Sequence, residues 1–383
     1  MAKKKKTRVN LRKKHYKPPR EHGWTRQYHQ HGFAEGDTVP SEERVRPRGE
    51  LSRKRTIVTE EDTAAEPPDG EIPAVMPAVD PEQCLPGRVL RVLGLQSVVA
   101  AEDGREYRCV VRGLLRSLTI DERNIIAPGD QVWFRPVSKD EGMIERIGPR
   151  HGLLTRESRG KEHVIVANVD QLVIVASVRQ PELKPHLIDR YLASAEQGGI
   201  RPILCLNKID LADPVEFQWL IGMYSQLGVP VLLTSATTGQ GIAWLKDLLI
   251  GKQTVFAGQS GVGKSSLLNA IQPELGLRVA EVSEATEKGR HTTTTTQLIQ
   301  LDIGGWVVDT PGIRQFSLWN ILPEEVEGLF AEMRPYVRFC RFPDCNHLET
   351  AEGCAVREAV RLHRMAAQRY ESYVGLFLGH ALD

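Results

Sequence analysis

The sequence carries a glycine-rich phosphate-binding pattern between an apolar run and a helix-compatible run. Residues 258–265, GQSGVGKS, fit G-x-x-x-x-G-K-[ST] at every fixed position. Glycines let successive backbone N–H groups turn toward phosphate oxygens, and the following helix adds the positive end of its dipole. We expect Lys264 to reach the β- and γ-phosphates and Ser265 to ligate Mg²⁺. The pattern predicts a nucleoside triphosphate site. Its residues are Gly258, Gln259, Ser260, Gly261, Val262, Gly263, Lys264, Ser265 and Ser266.

Two further loops have the residue types that select a guanine base. Residues 207–210, NKID, follow the apolar run PILCL, and residues 234–236, TSA, end another apolar run. The Asp210 carboxylate can accept hydrogen bonds from guanine N1 and N2. Adenine offers no such donors, and a buried unpaired carboxylate costs about a thousandfold in affinity. NKID alone is also a common turn and helix cap, so the pair of loops carries the prediction. The expected base-contacting residues are Asn207, Lys208, Asp210, Ser235 and Ala236.

Two segments after the phosphate loop are suited to sensing the γ-phosphate. Residues 309–312, DTPG, follow the run WVV and fit the D-x-x-G pattern of GTPases. We expect Asp309 to hold the Mg²⁺ shell and the Gly312 N–H to contact the γ-phosphate. Thr292 or Thr293 in the threonine run could complete the Mg²⁺ shell. The alternatives are an ordinary turn for DTPG and an exposed strand for the threonines.

Four potential metal ligands lie within fifteen residues near the C-terminus. Cys340, Cys345, His347 and Cys354 supply three thiolates and one imidazole, which is the donor set of a closed, tetrahedral structural zinc site. Four protein ligands leave no open coordination position, so we expect no zinc catalysis. The alternative is free thiols on a helical surface. The other three cysteines stand singly in apolar runs, as buried cysteines do.

The elements that must position these residues change in type along the chain. From about residue 164, strand-like apolar runs alternate with helix-length segments, which predicts a mostly parallel sheet with helices on both faces. Residues 84–150 show short strands separated by turn signals, which predicts a small β-barrel or sandwich, with an OB-type barrel as the candidate we favour. Such barrels often bind nucleic acid, although a purely structural barrel is equally compatible. Residues 151–318 are assigned to the α/β domain, and residues 319–383 to a mainly helical zinc-binding domain.

Composition and charge exclude several classes of protein. The chain has 383 residues and 26% charged residues, and no apolar stretch reaches membrane-spanning length. The basic start lacks the apolar core of a secretory signal, and six cysteines are too few for a disulfide scaffold, so we expect a cytoplasmic protein. Residues 1–20 carry ten Lys and Arg and no acid, whereas residues 59–82 carry eight acids. Residues 1–83 are therefore predicted to be mostly disordered, and the basic block either binds nucleic acid or solubilises the chain.

The order of the motifs identifies a family. GTPases run from the phosphate loop through D-x-x-G to N-K-x-D, but here NKID and TSA come first, which predicts a circular permutation. With residues 289–295, GRHTTTT, and residues 309–316, DTPGIRQF, the chain resembles the circularly permuted ribosome-biogenesis GTPases of the RsgA (YjeQ/YloQ) family. The resemblance covers roughly residues 84–360. It implies an OB-type barrel, a permuted GTPase domain and a zinc domain, with a role in late maturation of the small (30S) ribosomal subunit and binding to its 16S rRNA.

The motifs predict the nucleotide-binding residues more specifically than they predict the catalytic residues or the exact activity. Ile313 occupies the place where Ras-like enzymes carry a water-orienting Gln. The resemblance implies His291 instead, with Lys264 and Gly312, although a loop histidine that contacts only RNA or solvent is the alternative. Two other functions stay open: a permuted GTPase for the large subunit, and an RNA-binding module whose nucleotide site is regulatory. We expect a monomer that binds GTP and GDP.

Overall fold

The computed structural model describes most of the chain beyond residue 81 and two short segments near its start. The described residues are 4–10, 54–60, 80, 82–113, 115, 125–157, 162–277, 296–309, 323–348 and 350–379. None of the helices in these ranges combines the length and apolar character of a membrane span.

Two strands lie in the segment that was predicted to be mostly disordered. Strands β1 (Lys4–Asn10) and β2 (Lys54–Glu60) pair antiparallel, with Lys4 opposite Glu60. The sequence contains the β-branched run TIVT in β2, but β1 is basic and shows no alternation of apolar and polar residues. For this reason the hydrophobic pattern did not predict the two paired strands. These strands belong to one compact unit, and the elements below belong to a second.

A closed five-stranded barrel is present among the described residues, as predicted. The strand order is β3-β4-β5-β7-β6, and pairing between β3 and β6 closes the barrel. Inward-facing side chains such as Tyr107 and Phe134 are buried. Gly142 is required beside Phe134, because a Cβ there would lie 2.8 Å from the ring. The strands are β3 (Leu85–Leu93), β4 (Gln96–Ala101), β5 (Glu106–Val111), β6 (Gln131–Pro136) and β7 (Glu141–Ile147).

A predominantly parallel sheet follows the barrel. A small antiparallel pair, β8 (Leu154–Glu157) and β9 (Glu162–Val166), precedes it. In the described part, the sheet order is β12-β11-β10-β13-β15-β14, and β14 alone runs antiparallel to its neighbour β15. The strands are β10 (Gln171–Ser177), β11 (Arg201–Asn207), β12 (Val231–Leu233), β13 (Gln253–Ala257), β14 (Gln297–Gln300) and β15 (Trp306–Asp309).

Helices cover both faces of this sheet, which explains its unbroken apolar strands. Every residue of β10 is buried. Leu172 and Ile174 pack with α1 and α2, whereas Val173 and Val175 face the other way and pack with α3 and α4. The helices are α1 (Pro185–Gln197), α2 (Gln218–Gln226), α3 (Ile242–Leu249) and α4 (Lys264–Ile271). The predicted permuted α/β fold is confirmed.

The barrel is fixed to the start of β13 by side-chain hydrogen bonds. Arg88 of β3 donates to Gln253 Oε1 at 2.6 Å, and Gln253 Nε2 donates to the Ala167 carbonyl at 2.6 Å. Arg88 also lies over the Trp306 ring at 5.5 Å. The two sheets meet where Gln297 of β14 pairs with Arg91 of β3. The contacts of Gln253 and Trp306 lie at the amino ends of the parallel strands, whereas Gln297 lies opposite Asp309 at their carboxyl ends.

The C-terminal residues form a small helical layer with its own apolar core. Phe330, Met333, Val356 and Tyr373 are buried together. Beside this core, Arg369 pairs with Asp189 of α1 at 2.8 Å, so the layer is fastened to the α/β sheet by a buried ion pair. The helices are α5 (Pro323–Val326), α6 (Arg334–Val337), α7 (Ala355–Arg361) and α8 (Ala367–Phe377).

Candidate nucleotide and metal sites

The glycine-rich loop joins the end of β13 to the start of α4. Gly258 has φ 144° and Gly263 has φ 95°, values that favour glycine. A Cβ at Gly258 would lie 2.1 Å from the Val175 carbonyl oxygen, and one at Gly263 would lie 2.4 Å from Asn207 Nδ2. The loop therefore has its shape because its backbone passes directly against two neighbouring strands. Its N–H groups and the N-terminus of α4 supply partial positive charge at the same place.

The lysine of the motif folds back over this loop. Lys264 Nζ donates to the Gly258 carbonyl at 2.7 Å and to the Gln259 carbonyl at 2.9 Å. Its ammonium group is thus held above the loop, where a triphosphate would lie. Ser265 and Ser266 follow in the first turn of α4. The structure brings the predicted phosphate-binding residues together on one strand–loop–helix unit.

Asn207 ties the guanine-selecting loop to the phosphate loop. Its Nδ2 donates to the Val262 carbonyl at 2.8 Å, and its Oδ1 accepts from the Thr234 hydroxyl at 3.2 Å. Asn207 is 1% exposed and Thr234 is 0% exposed. Because water does not compete for these hydrogen bonds, they are stronger than the same bonds would be at the surface. One side chain therefore connects three segments that are widely separated along the chain.

The carboxylate of the N-K-x-D pattern lies at the rim of this arrangement. Asp210 is exposed, and hydrogen bonds from the hydroxyls of Ser235 and Thr237 hold the pKa of its carboxyl below its usual value. Lys208 has φ 61° and donates to the Gln180 carbonyl, and partial burial lowers its pKa. Asp210 is thus held ionised and oriented by the TSA loop, as a hydrogen-bond acceptor for a base requires.

The backbone of the TSA loop is also arranged for a ligand. The Ser235 N–H donates to the Gln240 carbonyl at 3.0 Å. Among the described residues, the Ala236 N–H donates no hydrogen bond to a backbone carbonyl. This N–H is the backbone donor that the loop can offer to a base oxygen.

The predicted switch residues are only partly covered by the structure. His291, Thr292, Thr293 and Gly312 lie outside the described residues. Asp309 ends β15, whose Val308 pairs in parallel with Val255 of β13. The backbone of Asp309 is therefore at the same sheet edge as the phosphate loop.

One contact to the phosphate loop was not found from the sequence. The Tyr191 side chain of α1 is buried and its hydroxyl accepts a hydrogen bond from the Gly258 N–H, while burial raises its pKa. Tyr191, Gly258 and Gln259 line a pocket between α1 and the loop. In the sequence Tyr191 is one apolar position of an amphipathic helix, and nothing in that pattern indicates its partner.

The four predicted metal ligands converge at one point. One ligand atom from each of Cys340, Cys345, His347 and Cys354 lies within 4.8 Å of the others. His347 Nδ1 is 3.5 Å from Cys340 Sγ and 3.4 Å from Cys354 Sγ. Its Nε2 lies 2.9 Å from Glu327 Oε2, which fixes the ring with Nδ1 turned toward the thiols. Glu327 was not found from the sequence, because it lies in a preceding turn without a ligand pattern.

The donor set and its surroundings fit a metal ion. Burial, with the neighbouring thiols, raises the pKa of Cys354 to about 12, so a thiolate at this place needs a nearby cation. The backbone is held from outside: Tyr370 OH donates to the His347 carbonyl at 2.7 Å and Tyr373 OH to the Asn346 carbonyl at 3.0 Å. This Cys₃His cluster can hold a metal ion with all four positions supplied by protein.

These features define a class of protein: a circularly permuted P-loop GTPase with a β-barrel before the GTPase domain and a Cys₃His cluster after it. A family model described as RsgA GTPase matches residues 147–319. The small ribosomal subunit biogenesis GTPase RsgA of Thermotoga petrophila is 44% identical over 279 residues, which are 72% of this chain and 90% of that protein. The protein of the same name from Pectobacterium carotovorum is 41% identical over 293 residues, covering 75% and 82%.

Two solved structures are similar over most of the chain. The crystal structure of YjeQ from Thermotoga maritima has a TM-score of 0.65 and 39% identity, covering 78% of this chain and 98% of that one. The structure of YloQ, described as a circularly permuted GTPase, has a TM-score of 0.60 and 32% identity, covering 79% and 98%. The chain belongs to the RsgA family of GTPases.

Proposed function

We propose that this protein hydrolyses GTP to GDP and phosphate during late maturation of the small ribosomal subunit, in contact with its 16S rRNA. The observation that carries the proposal is the Asn207 side chain, which joins the NKID strand to the phosphate loop through Val262. This contact supports one nucleotide site that the base-selecting and phosphate-binding elements share. The family relatives are named as small ribosomal subunit biogenesis GTPases, which supports the choice of partner.

In this pocket the base is selected by three groups. Asp210 accepts from guanine N1 and N2, and the Ser235 and Thr237 hydroxyls keep its carboxylate in place. The Ala236 N–H donates to guanine O6. The stem of Lys208 lies near the phosphate loop, since a Cβ at Gly263 would be 4.0 Å from its Cε, and covers the nucleoside. Adenine would leave the carboxylate without partners.

The triphosphate is held by residues 258–266 and by Lys264. Lys264 exchanges its two loop carbonyls for the β- and γ-phosphate oxygens. Ser265, Thr292 or Thr293, and the Asp309 shell would hold Mg²⁺, which neutralises charge on the β- and γ-phosphates when bound. The Gly312 N–H senses the γ-phosphate.

Hydrolysis is assigned to His291 as the residue that orients water. This assignment rests on the family resemblance and on Ile313, which cannot replace the usual Gln. We expect slow turnover by the protein alone, and faster turnover when the ribosomal subunit orders the switch segments. A His291→Ala variant should retain GTP binding and lose most of the stimulated turnover.

The Cys₃His cluster is proposed to hold one structural Zn²⁺. Tetrahedral Cys₃His sets with no open position are typical of structural zinc. The ion would fix residues 340–354 against α8. We place the protein in the cytoplasm and propose that it acts as a monomer.

Phosphate release measured with purified small subunits, with large subunits and with neither tests the function. Stimulation by small subunits alone is expected. Stimulation by large subunits would assign the protein to the other subunit. Absence of turnover in all three conditions, with GTP bound, would make it an RNA-binding protein with a regulatory nucleotide site. Lys264→Ala should abolish turnover, because the lysine that would bind the β- and γ-phosphates is lost. Lys252→Ala, which removes an exposed lysine outside the loop, is the matched control.

A further inference from the structure

The first residue of the phosphate loop is held by two side chains. Gly258 is the first residue beyond the parallel pairing of β13 with β10, which ends with Ala257 opposite Ile174. The Gly258 N–H donates to the hydroxyl of Tyr191 on α1. Its carbonyl accepts from Lys264 Nζ at 2.7 Å. The backbone at the start of the loop is therefore restrained both at its N–H and at its carbonyl.

These two contacts differ in how they respond to a nucleotide. In the proposed complex with GTP, Lys264 exchanges the Gly258 carbonyl for phosphate oxygens. The Tyr191 ring is 4% exposed and belongs to the same apolar core as Leu172 and Ile174 of β10. A nucleotide can therefore bind without displacing Tyr191, and the hydroxyl can hold Gly258 in the empty and in the occupied site.

The position of this hydroxyl is set by the packing of α1 against the sheet. Ile188 and Leu192, one turn before and one residue after Tyr191, are buried in the same apolar core. From α2, the Tyr224 hydroxyl donates to the Asp189 carboxylate of α1 at 2.7 Å. Because the helix is held on its apolar and its polar side, the phenol oxygen is fixed in place before a nucleotide binds.

The conformation of Gly258 explains why such a restraint matters. Its φ of 144° favours glycine, and a glycine also has the most backbone freedom to lose when a ligand orders it. A hydrogen bond that restrains Gly258 beforehand lowers this entropic cost of binding.

A tyrosine is a suitable acceptor beside phosphates. Burial raises the pKa of Tyr191, so its hydroxyl stays neutral at physiological pH. A carboxylate could accept the same N–H, but its negative charge would repel the phosphate groups.

We propose that Tyr191 is a positioning residue for the phosphate loop, whose hydroxyl holds Gly258 in the conformation that binds the phosphates of GTP and GDP. The proposal rests on the proposed function and adds to it a residue outside the sequence motifs. Because the hydroxyl acts on the loop with either nucleotide, it should strengthen the binding of both and leave the chemical step unchanged.

The test compares two tyrosine variants of the full-length protein. Tyr191→Phe keeps the buried ring and removes only the hydroxyl, so affinity for a fluorescent GDP analogue should fall about fivefold, the effect of one hydrogen bond. KM for GTP should rise by the same factor, and kcat should stay unchanged. Without nucleotide, hydrogen exchange in residues 254–264 should be faster than in the wild type.

The matched control is Tyr224→Phe, which removes the other hydroxyl that supports α1. This variant should lower the melting temperature, because the Asp189 carboxylate loses a buried donor. It should leave the affinity for the GDP analogue and the KM for GTP unchanged, since the bond to Gly258 remains.

Three results would overturn the proposal. Folded Tyr191→Phe could bind the GDP analogue as tightly as the wild type does. Both variants could lose affinity equally, which would show that the packing of α1 matters and the bond to Gly258 does not. In Tyr191→Phe, kcat could fall with KM unchanged, which would place the hydroxyl in the chemical step. Failure of the proposed function is distinguishable, because the GDP analogue binds without turnover and its affinity is measured whether or not GTP is hydrolysed.

Discussion

The nucleotide pocket and the metal cluster are assembled in opposite ways. The pocket takes residues from the ends of β10, β11, β12 and β13, which are brought together by a preformed parallel sheet. The cluster takes four ligands from residues 340–354, held by short turns and a few apolar contacts. The sheet can position its loops without a ligand, whereas the cluster places three thiols around one imidazole, a donor set that could hold a metal ion.

The two sites nevertheless share one helix. On α1, Tyr191 contacts the phosphate loop, and Asp189, two residues earlier, accepts from Arg369 of α8. Asp189 is 0% exposed and also accepts from Tyr224 at 2.7 Å. Arg369 also donates to Glu332 at 2.6 Å. Burial lowers the pKa of Arg369, but the charges of Asp189 and Glu332 outweigh it and raise the pKa above its usual value. A buried charge network thus connects α1, which contacts the phosphate loop, with α8, which packs beside the metal cluster.

Removing a metal ligand should show the largest difference in behaviour between the two sites. Cys345→Ser is expected to release the metal and unfold the C-terminal helices, because a structural zinc site contributes about 10 kcal/mol or more to the folding of such a segment. GTP affinity should change little, since the sheet remains. Metal content, helical circular dichroism and GTP binding would be measured together. Cys84→Ser, which removes a cysteine outside the cluster, is the control. Equal loss of GTP binding would show that the pocket depends on the cluster.

Breaking the buried ion pair tests the bridge between the sites. Arg369→Met leaves the Asp189 charge buried without its main partner, at an expected cost of about 3–5 kcal/mol in unfolding free energy. Arg361→Met removes an arginine from an exposed pair with Glu358 and should leave the unfolding free energy nearly unchanged. Chemical denaturation of both variants measures this. Similar stabilities for the two would mean that the network does not hold the domains.

Altering the base-selecting carboxylate should affect the pocket alone. Asp210→Asn replaces one of the two accepting oxygens by an NH₂ donor, which would face a guanine N–H, so GTP affinity should fall about a hundredfold. Xanthosine triphosphate, which carries an oxygen at C2, should bind the variant better than GTP does. Competition with labelled GDP gives both affinities, and zinc content should equal that of the wild type. An unchanged preference would remove Asp210 from the site.

The smallest effect is expected from the carboxylate behind the metal ligand. Glu327→Gln keeps a hydrogen bond to His347 Nε2 but removes the charge, which should weaken metal affinity about tenfold. Competition with a chromogenic chelator measures the affinity. Glu325→Gln, which changes a carboxylate two residues earlier in α5, serves as the control. Equal affinities would show that Glu327 acts only as a surface acid.

The sequence determined the chemistry of both sites and the permuted order of the fold. Residues 258–265 and 340–354 are local patterns, because a phosphate cradle and a tetrahedral ion each need fixed residue types at short spacing. The alternation of strands and helices likewise follows from local apolar runs. What the sequence showed less well was the basic strand β1, which has no alternating pattern.

Only the tertiary structure decided how these parts are held. Asn207 on Val262, Tyr191 on Gly258, Glu327 on His347 and Arg369 on Asp189 are single polar contacts between segments distant in sequence. Asn207 belongs to the NKID pattern, but its contact with Val262 is not part of that pattern, and in the sequence the other three side chains look like any residue of a turn or helix. The role of each side chain depends on the partner that folding places beside it, in an interior where one hydrogen bond or ion pair is worth far more than in water.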